Sequence, residues 1–166
     1  MRIERLSPDD WERSRDVRLR ALLDAPDAFA TRHAEEREQP EPFWRGRLEN
    51  AACATFVARA GGVDLGCAVG APWTEAASTA GLFSMWVAPE ARGQGAGDAL
   101  VRAVVDWARE GGYARLVLEV ADENAPAVGL YARHGFEPTG RTGHLPAPRE
   151  HVLEHERALV LEEPSA

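Results

Sequence analysis

Apolar and polar positions along the chain change their period several times, and each change marks an element. Met1–Leu6 reads as a short first strand. Ser7-Pro8-Asp9-Asp10 has the form of a helix start: a capping serine, proline in the first turn, and early acids that suit the helix dipole. That helix is expected to run to about Leu23, where Ala25-Pro26-Asp27 breaks it. From Phe29 to Asn50 the chain is polar and rich in Arg and Glu, with apolar positions around Phe43, Trp44 and Leu48, and it predicts one or two short helices.

Thr55–Ala60 and Val63–Val69 flank Gly61-Gly62, a hairpin signal. Leu82–Val87 reads as a further strand. Gly97–Arg109 is amphipathic at helical spacing, with Leu100, Val101, Val104, Trp107 and Ala108 on one face and Asp98, Arg102, Asp106 and Arg109 on the other. Gly111-Gly112 ends it. Leu116–Ala121 is an apolar strand carrying one acid, Glu119. Ala125–Arg133 is a short helix capped by Asn124 and ended by Gly135, and Phe136–Arg141 with Val152–Leu161 closes as a pair of strands. The order β-α-α-β-β-β-α-β-α-β-β predicts an α/β fold with a mixed sheet.

The length of 166 residues fits one domain spanning 1–166. A net charge of −8 disfavours nucleic acid as a partner, because phosphate neutralisation needs a basic surface. The same charge suits a cationic substrate, and it equally suits a solvated acidic surface. No apolar run reaches the roughly 20 residues of a membrane span, and the start Met1-Arg2-Ile3-Glu4-Arg5 is not that of a signal peptide. Cys53 and Cys67 lack a disulfide framework or metal-knuckle spacing, so a reduced, cytoplasmic protein is expected. Lysine is absent, and all the basic side-chain charge is arginine.

The most informative segment runs Val87-Ala88-Pro89-Glu90-Ala91-Arg92-Gly93-Gln94-Gly95-Ala96-Gly97. A strand feeds a loop of small residues that opens a helix, which leaves backbone N–H groups free for an anion. Glycine allows close backbone approach and positive φ, and such a nest suits a pyrophosphate. The same glycines also serve merely to pack a helix on a sheet. A P-loop is excluded by the missing Gly-Lys-Ser/Thr, and a dinucleotide fingerprint by the G-x-G-x-G spacing after Pro-Glu-Ala-Arg.

On these residues the chain resembles the GCN5-related N-acetyltransferase (GNAT) family. Arg92-x-x-Gly95-x-Gly97 follows a strand ending Met85-Trp86-Val87, as in that family's acetyl-CoA motif. Asn124-Ala125-Pro126-Ala127-Val128-Gly129-Leu130-Tyr131, then Gly135-Phe136, is similar to its second signature. The resemblance implies a mixed, mostly antiparallel central sheet flanked by helices, with acetyl-CoA as cosubstrate and no metal. It implies that Met85, Trp86 and Val87 bind the coenzyme, with the Val87 N–H on the thioester carbonyl. It further implies that Arg92, Gly93, Gln94, Gly95, Ala96 and Gly97 hold the pyrophosphate, that Asn124 contacts the pantetheine arm or the path of attack, and that Tyr131 protonates the leaving thiolate. A thiol titrates near 8.5 and a tyrosine near 10, so a nearby phenol is a competent acid at neutral pH. An aromatic that only packs the helix is the alternative at Tyr131.

Amine attack needs a free base, since an alkyl ammonium with a pKa of about 10.4 is mostly protonated at neutral pH. Strand alternation sets Val117, Glu119 and Ala121 on one face and Leu116, Leu118 and Val120 on the other. A carboxylate on an interior strand should have a raised pKa, which suits a base. Leu118-Glu119-Val120-x-x-x-Asn124 followed by Tyr131 resembles the arrangement in ribosomal-protein alanine acetyltransferases, where this glutamate is the base. A structural glutamate, with a water chain as base, is the other reading.

His151-Val152-Leu153-Glu154-His155 matches H-x-x-E-H, a zinc pattern that needs a helix. It falls in an expected strand, where a rise of about 3.3 Å per residue separates the histidines by roughly 13 Å, so no metal is expected. The leading expectation is an acetyl-CoA-dependent N-acetyltransferase acting by direct attack in a ternary complex. The acceptor is a primary amine on a small molecule, a protein N-terminus or a lysine. The alternatives are a silent acyl-CoA sensor or interaction module on the same fold, and a nucleotide-binding oxidoreductase, which the glycine spacing disfavours. The acceptor wall is expected from Ala25–Asn50 and Thr142–Arg149; Glu35, Glu36 and Glu38 there are either cation-attracting or an exposed helix face. A homodimer is common in the family, and nothing in the sequence derives one.

Overall fold

The computed structural model of the protein describes residues 1–161, so residues 162–166 of the expected 1–166 domain lie outside the described residues. The elements run β1 (Arg2–Arg5), α1 (Trp11–Asp24), α2 (His33–Glu36), α3 (Glu41–Glu49), β2 (Ala54–Ala60), β3 (Val63–Pro72), β4 (Thr79–Val87), α4 (Ala96–Glu110), β5 (Arg115–Val120), α5 (Ala125–Arg133), β6 (Glu137–His144) and β7 (Leu153–Val160). The helix start at Ser7 is a capping box: the Asp10 carboxylate accepts the Ser7 N–H at 2.9 Å. The turn it caps, Pro8–Asp10, is 3₁₀, and α1 proper begins at Trp11. Pro26 then prevents α1 from continuing.

The strands form one sheet in the order β1-β2-β3-β4-β5-β7-β6. Every pairing is antiparallel except β4 with β5. The β2–β3 hairpin turns through Gly61 and Gly62, at φ of 57° and 75°. Both positive values match the primed turns whose twist suits a two-residue hairpin.

Two apolar layers sandwich the sheet. On one face α4 buries Leu100, Val101, Val104, Val105 and Ala108 against Ala58, Ala68, Ala80, Leu82, Leu116 and Leu118. Full burial of such a branched side chain stabilises the fold by about 1.5–3 kcal/mol, and truncating Leu100 to alanine would cost about 2–5 kcal/mol. Trp107 fits beneath α4 because β3 has Gly70 there; a Cβ at that position would collide with the indole. On the other face α1 lays Val17, Ala21 and Leu22 on Val57, Cys67 and Trp86. Among the described residues no helix is long and apolar enough to cross a membrane.

Candidate active site

The site grows from the one parallel pairing among the described residues. β4 and β5 pair only where Thr79–Gly81 meets Arg115–Val117. Beyond Gly81 and Val117 the two strands no longer bond to each other, so a gap opens in the middle of the sheet. Ala88 donates its N–H to the Leu65 carbonyl at 2.8 Å. In an antiparallel ladder the neighbouring residue faces the opposite edge. The Val87 N–H therefore points away from β3, toward the gap.

The loop after β4 supplies the second part. Gly93 and Gly95 hold φ of 76° and 86°, a region that side chains with a Cβ rarely adopt. A Cβ built on either would meet nothing within 4 Å. Their backbone faces open space at the start of α4, where Gly95 is the N-cap residue and the first helical N–H groups lack intrahelical partners. Dipole and free donors together suit an anion there. Gly97 differs: its Cβ would lie 3.2 Å from Leu130 Cδ2 and 3.6 Å from Met85 Cε, so it is small to let α5 and β4 close on α4.

Other residues of the expected coenzyme set are engaged within the protein. Arg92 donates from Nη2 to Asp24 Oδ2 at 2.7 Å and from Nε to the Val87 carbonyl at 3.1 Å. The Trp86 indole N–H donates to the same Asp24 oxygen at 2.9 Å. These bonds tie the end of α1 to the loop, and they direct the Arg92 guanidinium onto protein groups. Gln94 turns its amide back onto the Glu90 carbonyl at 3.1 Å. Asn124 caps α5, its Oδ1 accepting the Ala127 N–H at 3.4 Å.

Tyr131 is buried beside Phe136, edge to face with centroids 5.8 Å apart. Burial pushes its phenol well above the usual tyrosine range. It thus keeps its proton throughout the neutral range. Its layer is the α4 face of the sheet, shared with Leu116, Leu118 and Val120 of β5. Glu119 stands on the opposite face of β5, as strand alternation requires. Its side chain is open to solvent, yet partial burial pushes the carboxyl up, helped by the negative charges of Glu156 and Glu75. Glu156 is its cross-strand partner on β7. Glu154 is pushed up likewise, by burial and then by Glu119. An acid candidate and a base candidate thus lie on opposite faces of one strand beside the gap.

The sequence did not foretell several of these neighbours. Glu36, expected as an exposed or cation-attracting acid, is buried at 2% exposure and bonded to Arg18 and Arg47 at 2.8 and 2.7 Å. Burial works against its ionisation, but the two arginines outweigh it and hold the carboxyl below the usual range. Asp24 and Glu156 carried no motif, and Glu154 stood only in the H-x-x-E-H pattern; the pairing of β5 with β7 brings the two glutamates to Glu119. In the H-x-x-E-H stretch, Glu154 and His155 lie on β7 while His151 precedes it, and His155 sits 3.0 Å from Asp122.

Comparison with known proteins agrees with this geometry. The family model described as acetyltransferase (GNAT) family matches residues 18–136. A probable N-acetyltransferase family 8 member 5 from Mus musculus is 37% identical over 99 residues, 58% of this chain and 44% of that protein. Streptothricin acetyltransferase from Streptomyces lavendulae is 40% identical over 98 residues, 53% of this chain and 47% of that protein. In both cases the match spans less than half of the relative's length. Among solved structures, an acetyltransferase of Salmonella typhimurium with acetyl-CoA superposes with a TM-score of 0.79 at 22% identity, covering 100% of this chain and 96% of that one. The ribosomal-protein-S18-alanine N-acetyltransferase of Escherichia coli gives 0.71 at 21%, covering 99% and 96%. The split sheet, the glycine loop at the start of α4 and the family match over most of the chain lead to one assignment: this chain belongs to the acetyltransferase (GNAT) family.

Proposed function

We propose that the protein transfers the acetyl group of acetyl-CoA to a primary amine by direct attack within a ternary complex. The observation that carries this reading is the gap between β4 and β5, with the Val87 N–H facing it, Tyr131 on one face and Glu119 on the other. The pyrophosphate would rest on the N–H groups of Gly93 to Gly97, and the thioester would enter the gap. Glu119 takes a proton from the acceptor ammonium, and the freed nitrogen attacks the carbonyl carbon. Negative charge gathers on the carbonyl oxygen, where the Val87 N–H donates to it. The C–S bond then breaks, and Tyr131 gives its proton to the departing sulfur. A thiolate formed beside a buried phenol is itself poorly solvated, which raises its own proton affinity and favours that transfer. As the C–S bond breaks the nitrogen releases its second proton to solvent, leaving the neutral amide; Tyr131 regains a proton from solvent, and Glu119 returns its own there.

The names of similar proteins support an amine as the acceptor: one acts on a ribosomal-protein alanine and another on streptothricin. The acids Glu119, Glu154 and Glu156 favour approach of a cation on the same face. Two measurements test the reading. Calorimetry should detect acetyl-CoA binding, and release of coenzyme A should depend on one member of a panel of primary amines, including alanine-ended peptides. Absence of acetyl-CoA binding would overturn the proposal. Binding without turnover on any amine would favour a silent acyl-CoA sensor.

A further inference from the structure

β4 does not run straight to the gap. Between the pairs Val69 with Phe83 and Cys67 with Trp86 it carries one residue more than β3, a bulge. Ser84 sits there at φ of 55°. Its Cβ disfavours that conformation by about tenfold or more in population. Two bonds hold it. Arg18 Nη1 donates to Ser84 Oγ at 2.9 Å, and the Cys67 thiol donates to the Ser84 carbonyl at 3.2 Å.

Arg18 is itself tightly fixed. Its Nε donates to Glu36 Oε2 at 2.8 Å, its Nη2 donates to Thr31 Oγ1 at 3.1 Å, and its guanidinium lies 4.7 Å above the Phe29 ring. Glu36, on α2, takes Arg47 of α3 on its other oxygen. One chain of contacts therefore runs from α3 through α2 and α1 to the bulge. The bulge matters because an extra residue reverses which sheet edge each later N–H of the strand faces. It decides that Val87 faces the gap.

We propose that Arg18 is a positioning residue: it holds Ser84 in the left-handed conformation and so aims the Val87 N–H, and Glu36 and Arg47 make this hold depend on docked α2 and α3. What the aimed N–H does rests on the transferase reading; the hold itself does not. Arg18→Met keeps the aliphatic stem and removes the donors. Ser84→Gly accepts positive φ without help. Amide hydrogen exchange by NMR would be measured at Cys67–Val69 and Phe83–Val87 in wild type, each single variant and the double variant. Arg18→Met should speed exchange there by about tenfold, the population cost of unaided left-handed serine. In the Ser84→Gly background the same change should have little effect. Ser84→Ala, which leaves the Arg18–Glu36–Arg47 contacts intact, should reproduce the acceleration even if Arg18→Met unfolds.

With an amine acceptor in hand, kcat should fall in Arg18→Met while the KM for acetyl-CoA holds, and Ser84→Gly should rescue it. Equal acceleration by Arg18→Met in both backgrounds, or none in Ser84→Ala, would overturn the proposal, because simple packing of α1 predicts no rescue. A wild-type protein inactive on every amine would count against the transferase reading alone, and the exchange test would still decide this one.

Discussion

Replacing Tyr131 with phenylalanine removes one hydroxyl and should move stability and catalysis in opposite directions. The ring is 5% exposed, and its contact with Phe136 survives the change. Burial is the sole cause acting on the phenol, and no described residue supplies it with a hydrogen bond. Burying a hydroxyl without a partner costs about 1–3 kcal/mol on mutational evidence. The Tyr131 oxygen is not among the fully enclosed polar atoms without a partner, so only part of that cost applies, and Tyr131→Phe should gain up to about 1 kcal/mol, or ~2–4 °C in Tm for a chain of this size. Catalysis should respond the other way: loss of a positioned acid lowers kcat by about 10²–10⁴-fold. At 1.36 kcal/mol per factor of ten, that is about 2.7–5.4 kcal/mol on the barrier. Acetyl-CoA affinity should change little, since one hydrogen bond contributes about 0.5–1.5 kcal/mol net. Scanning calorimetry, titration calorimetry and steady-state kinetics on the same preparation read all three. A Tm lowered by several degrees would mean the hydroxyl serves the fold, and an unchanged kcat would mean the thiolate leaves without it.

Gly95→Val should abolish acetyl-CoA binding by calorimetry, because its side chain would fill open space above the loop at a φ of 86°. The forced left-handed valine should also lower stability by about 1–2 kcal/mol; wild-type affinity in a folded variant would refute the pyrophosphate assignment. Glu119→Gln should lower kcat by about 10²–10⁴-fold and abolish the acid limb of the pH–rate profile. In wild type that limb should lie above the ordinary glutamate value of about 4.3, because burial, Glu156 and Glu75 raise the carboxyl. For stability the raised pKa means the folded state binds more protons, so this group's contribution falls as pH rises from the ordinary value through the raised one. Denaturant titrations across that window should show a flatter slope in Glu119→Gln, and a steeper fall would contradict the assignment.

Much of this protein was legible from neighbours in the chain. Ala125–Arg133 forms the expected helix, and the expected Gly97–Arg109 helix is extended by one residue at each end. Both carry their signals locally: an N-cap asparagine or loop glycine before, an apolar stripe of period 3.6 within, and a glycine after. The family motifs were legible for the same reason, since a strand, loop and helix start are consecutive residues. Strand edges were less so. β3 runs on to Pro72 and β4 begins at Thr79, because cross-strand bonding extends them through residues without an alternating pattern.

The elements, their order and the glycines that leave backbone donors open at the start of α4 follow from the chain locally. Those depend on bonds within a few residues, and local dihedral and side-chain preferences set them. Which strand edges meet is set by long-range packing. β7 inserts between β5 and β6, and this sets Glu156 beside Glu119 across 37 positions of chain. The packing of α1 on the sheet brings Asp24 to Arg92 and Arg18 to Ser84. The bulge at Ser84 has no local signal at all: serine does not favour positive φ, and the groups that bond it there, the Arg18 guanidinium and the Cys67 thiol, come from other elements. Long-range contacts of that kind are decided by how the apolar faces of α1 and α4 close on the sheet, and the residues on either side of the contact carry no mark of it.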